Sequence, residues 1–338
     1  GLEKYEFGQA VDLSWRSYGL LPEEVVALFN VGGGTVSDAL LGNWSADRFR
    51  TSGLTTSFTT AVTTSGVVDS APVSVYKSYA YASSGIGNQL SYDLPTLDGD
   101  YEVVLHFVEM ATVSTGVRVF DIELQGATAQ AGFDLVGEAG GRYIALSKTF
   151  PVTAPGGTGI QLDLVNTGAS SSNRAVLSGI EIVRANPGGN AGATVDLALS
   201  TNSGGSYSAL ATGLAINRFG EGSFAWTASP VTNANTAMVR ATATTGTMPQ
   251  DASDAGFLVA NDGNEYFVND GFLTGDEYTS VVGDNANSGK TSDAPMASLA
   301  AIFRAYDLDA GDVIFVDTGD YQLATNLVIT AQDAGVEI

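Results

Sequence analysis

The stretch that most constrains this chain is 97–126, LDGDYEVVLHFVEMATVSTGVRVFDIELQG. After an Asp-Gly-Asp turn, Tyr101, Val103, Leu105 and Phe107 alternate with Glu102, Val104, His106 and Val108. A period of two marks a strand with one face on a core. Small residues follow at 111–116. A second alternating run then puts Phe120, Ile122 and Leu124 on one face, and Val119, Asp121 and Glu123 on the other. Two central strands of a β-sandwich are expected here.

Length and composition bound what can surround those strands. The 338 residues exceed one ordinary sandwich and suit two or three domains. Hydrophobic residues make up 44% of the chain, enough for real cores, whereas only 15% are charged and glycine reaches 41. A surface of small polar residues with Thr and Val runs points to an all-β extracellular protein. The 14 Lys and Arg against 37 Asp and Glu leave a net charge of −23. That argues against nucleic acid and anionic membranes as partners, because phosphate binding needs clustered cations.

No cysteine is present, so thiol catalysis, disulfides and Cys-ligated zinc are excluded. The single histidine, His106, removes His-rich metal sites and most His-based triads. Its nearest acid along the strand, Glu109, is three residues on and therefore on the opposite face, which favours a structural imidazole over a catalytic base. No apolar run approaches the roughly 18 residues needed to span a bilayer. The chain starts at Gly1 with neither Met nor a signal peptide, and a mature or excised piece of a longer protein is expected.

Five segments follow along the chain. Residues 1–27 form a lead-in, either an edge strand or the tail of a preceding domain. Residues 28–185 hold FNVGGG (29–34), Asp38, a polar turn around Trp44, the tyrosine-rich VSVYKSYAY (73–81), QLSYDL (89–94) and the opening pair of strands. Residues 186–192 are a linker by their Asn, Pro and Gly content. Residues 193–261 read as a second, smaller sandwich with Trp226 as a core anchor. Residues 262–338 carry a polar turn (283–295), a short amphipathic helix in MASLAAIFRAY (296–306) with Leu299, Ile302, Phe303 and Tyr306 at helical spacing, then strand, turn and strand.

The order FNVGGG, Asp38, Trp44 with Asp47, VYKSYAY, YDLP, DGDYEVVLHFVE, GVRVFDIELQG and a terminal LSGIEIV resembles the malectin domain. The resemblance implies a β-sandwich of carbohydrate-binding-module type over 28–185. It also implies sugar contacts near the first turn, on the tyrosine strand, just after Phe107-Val108-Glu109, and at a late acid. Here Val36 stands at the first of these, Tyr76 and Tyr81 on the second, Ala111-Thr112 at the third and Asn173 near the last. Residues 193–261, with Ser203-Gly204-Gly205-Ser206-Tyr207 and the Trp226 strand, are similar to immunoglobulin or fibronectin-type spacers of bacterial surface proteins. Residues 262–338 resemble the opening of a right-handed parallel β-helix, with the short helix as its cap. The expected fold class is thus all-β: malectin-like sandwich, Ig-like sandwich, then β-helix start.

Two constellations are candidates for binding. Tyr76, Tyr79 and Tyr81, with Trp44 and Asn173, would make a glycan platform, since sugar C–H faces stack on rings and phenols bond hydroxyls. The competing reading is sandwich core. Asp270, Asp276, Asp284, Asn285 and Asn287 supply hard oxygens that suit calcium, the one cofactor the sequence admits as a candidate; a second acidic run, Asp307–Asp312, lacks the following Glu of a calcium loop and reads as turn chemistry. No paired carboxylates at acid/base spacing stand out, and FNVGGG lacks the dinucleotide spacing. The expected function is a non-catalytic binding or adhesion region of a large secreted or cell-surface protein, attaching to polysaccharide or to neighbouring subunits. The alternatives are a structural subunit of an extracellular fibre or sheath, and an ancillary region of a β-helix lyase, epimerase or hydrolase.

Overall fold

A computed structural model describes residues 3–67, 70–232, 234–245, 248–322, 326–331 and 333–338. The chain is mostly β and divides into two compact units. One comprises Tyr18–Ala191 with Arg218–Gly220; the other comprises the residues up to Ser17, Gly192–Asn217 and Glu221–Ile338. In sequence terms, the first unit is inserted into the second. No helix among the described residues is long and apolar enough to cross a membrane.

The inserted unit is a sandwich. Its six-stranded sheet runs Ala145–Ala154, Gly99–Val108, Gly179–Ala185, Glu23–Asn30, Gly42–Ala46, Val36–Asp38; its five-stranded sheet runs Ala127–Asp134, Val119–Leu124, Ile160–Asn166, Gln89–Leu94, Arg50–Ser52. Both strands read from 97–126 are interior, and they lie in different sheets. Tyr101, Val103, Leu105 and Phe107 face Phe120, Ile122 and Leu124 in one core cluster, as the alternation requires. Phe133 joins the sheets, 4.9 Å from Phe107 and 5.1 Å from Phe120 by ring centroids. The outer face of the six-stranded sheet is covered too. Val25, Leu28, Trp44, Val75, Tyr76, Val108 and Val183 form a second cluster, against which Phe58, Val62 and Val67 pack.

The lead-in and the linker do not stand apart as the composition implied. Lys4–Glu6 pairs in parallel with Leu258–Ala260, and Ala10–Arg16 pairs antiparallel with Glu221–Thr227. Glu23–Asn30 is instead an interior strand of the inserted unit, so the boundary falls at Ser17 rather than after residue 27. A strand whose partner lies two hundred residues on leaves no local trace, which is why it read as a loose segment. Residues 186–190 are tied to the start of the same unit: Asn186 N donates to Pro22 O and Asn190 N to Leu20 O, both at 2.7 Å. A Cβ on Gly189 would meet Leu21 O at 2.2 Å, so only glycine fits there.

The other unit holds a four-stranded sheet in the order Ser208–Ala215, Thr194–Ser200, Met238–Ala243, Gln250–Ala252. Trp226 is the expected anchor, edge-on to Tyr5 at 6.2 Å and Phe257 at 6.0 Å. Further on, Glu265–Val268 pairs in parallel with Val313–Val316, extended by parallel bridges Val268–Met296 and Val313–Glu337. The expected helix is present as Leu299–Ala305, with Ile302 fully buried.

Phe107 is fully buried and its ring meets both Phe120 and Phe133. Phe107→Ala is expected to lower stability by about 3–5 kcal/mol, read as a shift in the urea midpoint without loss of β signal in circular dichroism.

Candidate binding site

The sequence Ser78-Tyr79-Ala80-Tyr81 forms the middle strand of a three-stranded sheet, between Leu54–Ser57 and Val176–Leu177. Period two buries Ser78 and Ala80 and leaves Tyr79 and Tyr81 half-buried on the outer face. Their ring centroids are 6.0 Å apart at 63°. Phe58 lies 6.0 Å from Tyr79, and the Arg174 guanidinium sits 5.6 Å over the Tyr81 ring.

A buried ion pair holds the loops around these rings. Glu109 follows the end of the strand Gly99–Val108 and is 1% exposed; Arg118 pairs with it through Nε. Glu109 Oε1 also accepts Ala111 N at 2.7 Å, and Arg118 donates through Nη1 to Arg174 O. One charge pair thus ties residues 109–111 to 118 and 174. Burial pushes the Tyr79 phenol above its usual range, while Arg118 opposes and Glu109 reinforces the shift. Asn173 is 5% exposed, and its Oδ1 is buried with no hydrogen-bond partner. Arg174 Nε is likewise buried and unpaired. At Ala111-Thr112 only short side chains stand.

The other two sugar-contact candidates lie elsewhere. Tyr76 is fully buried, and its hydroxyl is 3.0 Å from His106 Nδ1. Trp44 is 2% exposed, its indole N–H donates to Leu41 O at 3.2 Å, and its ring meets His106 edge-on at 5.3 Å. Both belong to the cluster on the outer face of the six-stranded sheet, so neither presents a ring for stacking. Tyr76 shares strand parity with the inward Ser78 and Ala80, and Val75–Lys77 tightens into a 3₁₀ turn. Val75 and Tyr76 are both fully buried in that turn, so the alternation that exposes Tyr79 and Tyr81 begins only with the strand at Ser78. Tyr92 is also core, its hydroxyl donating to Asp47 Oδ1 at 2.9 Å.

His106 has neighbours that the sequence did not reveal. Its Nε2 lies 3.8 Å from Glu181 Oε2, and Glu181 pairs with Arg218. Burial works to raise the Glu181 carboxyl, but His106 and Arg218 outweigh it and hold it below its ordinary 4.5. Because the folded value is the lower one, this group's stabilisation is complete above about pH 4.5 and is lost as pH falls through the depressed value. Glu181→Gln is expected to cost about 2 kcal/mol at neutral pH and to flatten the acid side of a stability–pH profile measured by denaturant titration.

The five calcium candidates are each turned to local polar groups. Asp270 accepts Phe272 N at 2.7 Å and Asp320 N at 3.0 Å, and Asp276 accepts Asn269 Nδ2 at 2.8 Å. Asp284 accepts Ala286 N at 2.9 Å, Asn285 accepts Ala297 N at 3.0 Å, and Asn287 donates to Pro295 O at 3.0 Å. Among the described residues no three His, Asp or Glu side chains gather as metal ligands. The acid that organises this region is one the sequence reading passed over. Asp317, 3% exposed, accepts the backbone N–H groups of Glu277, Tyr278 and Thr279 and the Thr279 hydroxyl. Its position directly after the strand Val313–Val316 was the only available cue.

Residues 25–177 match the family model for the malectin domain. No curated protein matches the chain. Among solved structures, the ANX2 ectodomain from Arabidopsis thaliana is similar at 23% identity and a TM-score of 0.43, covering 48% of this chain and 50% of that one. The ANXUR1 extracellular domain from Arabidopsis thaliana aligns at 22% identity and a TM-score of 0.43, covering 48% and 49%. A complex of the plant peptide RALF23 with FER and LLG2 aligns at 23% identity and a TM-score of 0.43, again over 48% and 49%. The chain thus spans about half the length of the structures it matches. The family match coincides with the sandwich that carries Tyr79, Tyr81 and the Glu109–Arg118 pair, and it is this part of the chain that is similar to the malectin domain.

Proposed function

We propose that this chain is a non-catalytic binding region of an extracellular protein, with a glycan-binding face at Tyr79 and Tyr81. The observation that carries the reading is the conjunction of two half-buried rings with two buried, unpaired polar atoms, Asn173 Oδ1 and Arg174 Nε, at the same end of the sandwich. Rings of this kind take the C–H face of a sugar, and orphaned buried donors and acceptors are what a ligand's hydroxyls would satisfy. A non-catalytic role is favoured because the buried Glu109 and Glu181 are engaged by Arg118 and Arg218, and the half-buried Asp47 by Arg50 and Tyr92. Residues 193–261 serve as an Ig-like spacer, and the parallel pairing of 265–268 with 313–316 begins a β-helix. Tyr79→Ala with Tyr81→Ala is expected to weaken retardation in polysaccharide affinity electrophoresis at least about tenfold, roughly 1.4 kcal/mol, with an unchanged melting temperature for the other unit. Undiminished retardation would remove the platform.

A second reading, attachment to neighbouring subunits, is favoured by one observation. Phe272 (72% exposed), Leu273 (53% exposed), Val281 and Val282 present apolar side chains to solvent within a dozen residues. Phe272→Ser with Leu273→Ser is expected to lower the weight-average mass in sedimentation equilibrium. A monomer before and after the change would rule this contact out.

A further inference from the structure

A buried lysine and a half-buried asparagine of the unit that contains the N-terminal strand share one hydrogen-bond acceptor and have few other partners. Lys4, on the strand Lys4–Glu6, is 7% exposed. Its Nζ donates to Ala286 O at 3.4 Å, and no ion pair joins it to a carboxylate among the described residues. Burial pulls its amine below the usual lysine range, with Asp284 opposing. Asn235 Nδ2 donates to the same Ala286 O at 3.1 Å, and Asn235 Oδ1 is buried with no partner. Asp284 sits on the other side of that residue, accepting Ala286 N at 2.9 Å. Ala286 therefore gathers an amine, a primary amide and a carboxyl. The backbone of Asn235 runs close to Gly256, where an added Cβ would meet the Asn235 backbone oxygen at 2.1 Å.

A buried ammonium with one long hydrogen bond is costly, and so is a buried amide oxygen without a donor. Condensation of the two groups removes the charge and leaves a single amide N–H to serve Ala286 O. We propose that Lys4 and Asn235 are joined by an intramolecular isopeptide bond formed at this meeting point. The neutral Lys4 amine attacks Asn235 Cγ; the Nζ–Cγ bond forms and the Cγ–Nδ2 bond breaks. A proton from Nζ passes through the Asp284 carboxyl to the departing nitrogen, which leaves as ammonia. No electrons are transferred, and no co-reactant is consumed. The bond would join a residue ahead of the inserted malectin domain to one after it, giving a cysteine-free chain a covalent closure of the kind a disulfide otherwise supplies.

The test is the mass of the purified, denatured full chain, followed by proteolytic mapping. The expected result is a mass about 17 Da below that of the sequence, together with a branched peptide holding both Lys4 and Asn235. Lys4→Arg and Asn235→Ala should each restore the full mass and lower the melting temperature. A full sequence mass in the parent chain would overturn the proposal, and that reading does not depend on whether either variant folds. So would the same deficit with Lys4 and Asn235 recovered on separate linear peptides, which marks a succinimide at an asparagine.

Discussion

The strand Gly99–Val108 is buried along its inner face and, from His106 onward, on its outer face too, and the inserted domain is arranged around that constraint. Its inner side chains need a facing sheet, supplied by Val119–Leu124 and its neighbours. Its outer side chains, Val104 and Val108 with His106 between them, need a second cover, supplied by Trp44, Tyr76 and the residues preceding the tyrosine strand. An antiparallel strand in this position must also be hydrogen-bonded along both edges, as it is by Ala145–Ala154 and Gly179–Ala185. The buried imidazole is the expense of covering the outer face, met by the hydroxyl of Tyr76 and the nearby Glu181–Arg218 pair.

The same strand leads directly to the face that carries Tyr79 and Tyr81. Its last turn outward delivers Glu109 into the interior, where an unpaired carboxylate would be severely penalised. Arg118 answers it and, through its remaining donors, fixes the backbone at Arg174. Sandwich packing therefore sets where the loops stand, and the loops set what surrounds Tyr79 and Tyr81. Short side chains at Ala111-Thr112 leave the aromatic contribution to those two rings and Phe58.

In the enclosing unit, acids cap backbone. Asp317 accepts three successive N–H groups, and Asp270 and Asp284 each accept the amide two residues on. A carboxylate beside glycine- and asparagine-rich backbone finds amide donors within its own turn.

Alternation by itself determined the class of fold, the two interior strands and the identity of their seven inward residues, because strand geometry converts residue parity into a face without reference to distant chain. The helix at Leu299–Ala305 and the Trp226 anchor were legible for the same local reason. The distinction between Tyr76 and its neighbours Tyr79 and Tyr81 was not in the alternation, because Tyr76 lies in a 3₁₀ turn ahead of the strand. Other features were decided only in three dimensions. The pairing of Ala10–Arg16 with Glu221–Thr227, the meeting of His106 with Glu181, and the convergence of Lys4 and Asn235 on Ala286 all join residues more than fifty positions apart. Such contacts depend on which sheet each strand enters and in what register, and neither is encoded in a window of sequence short enough to read.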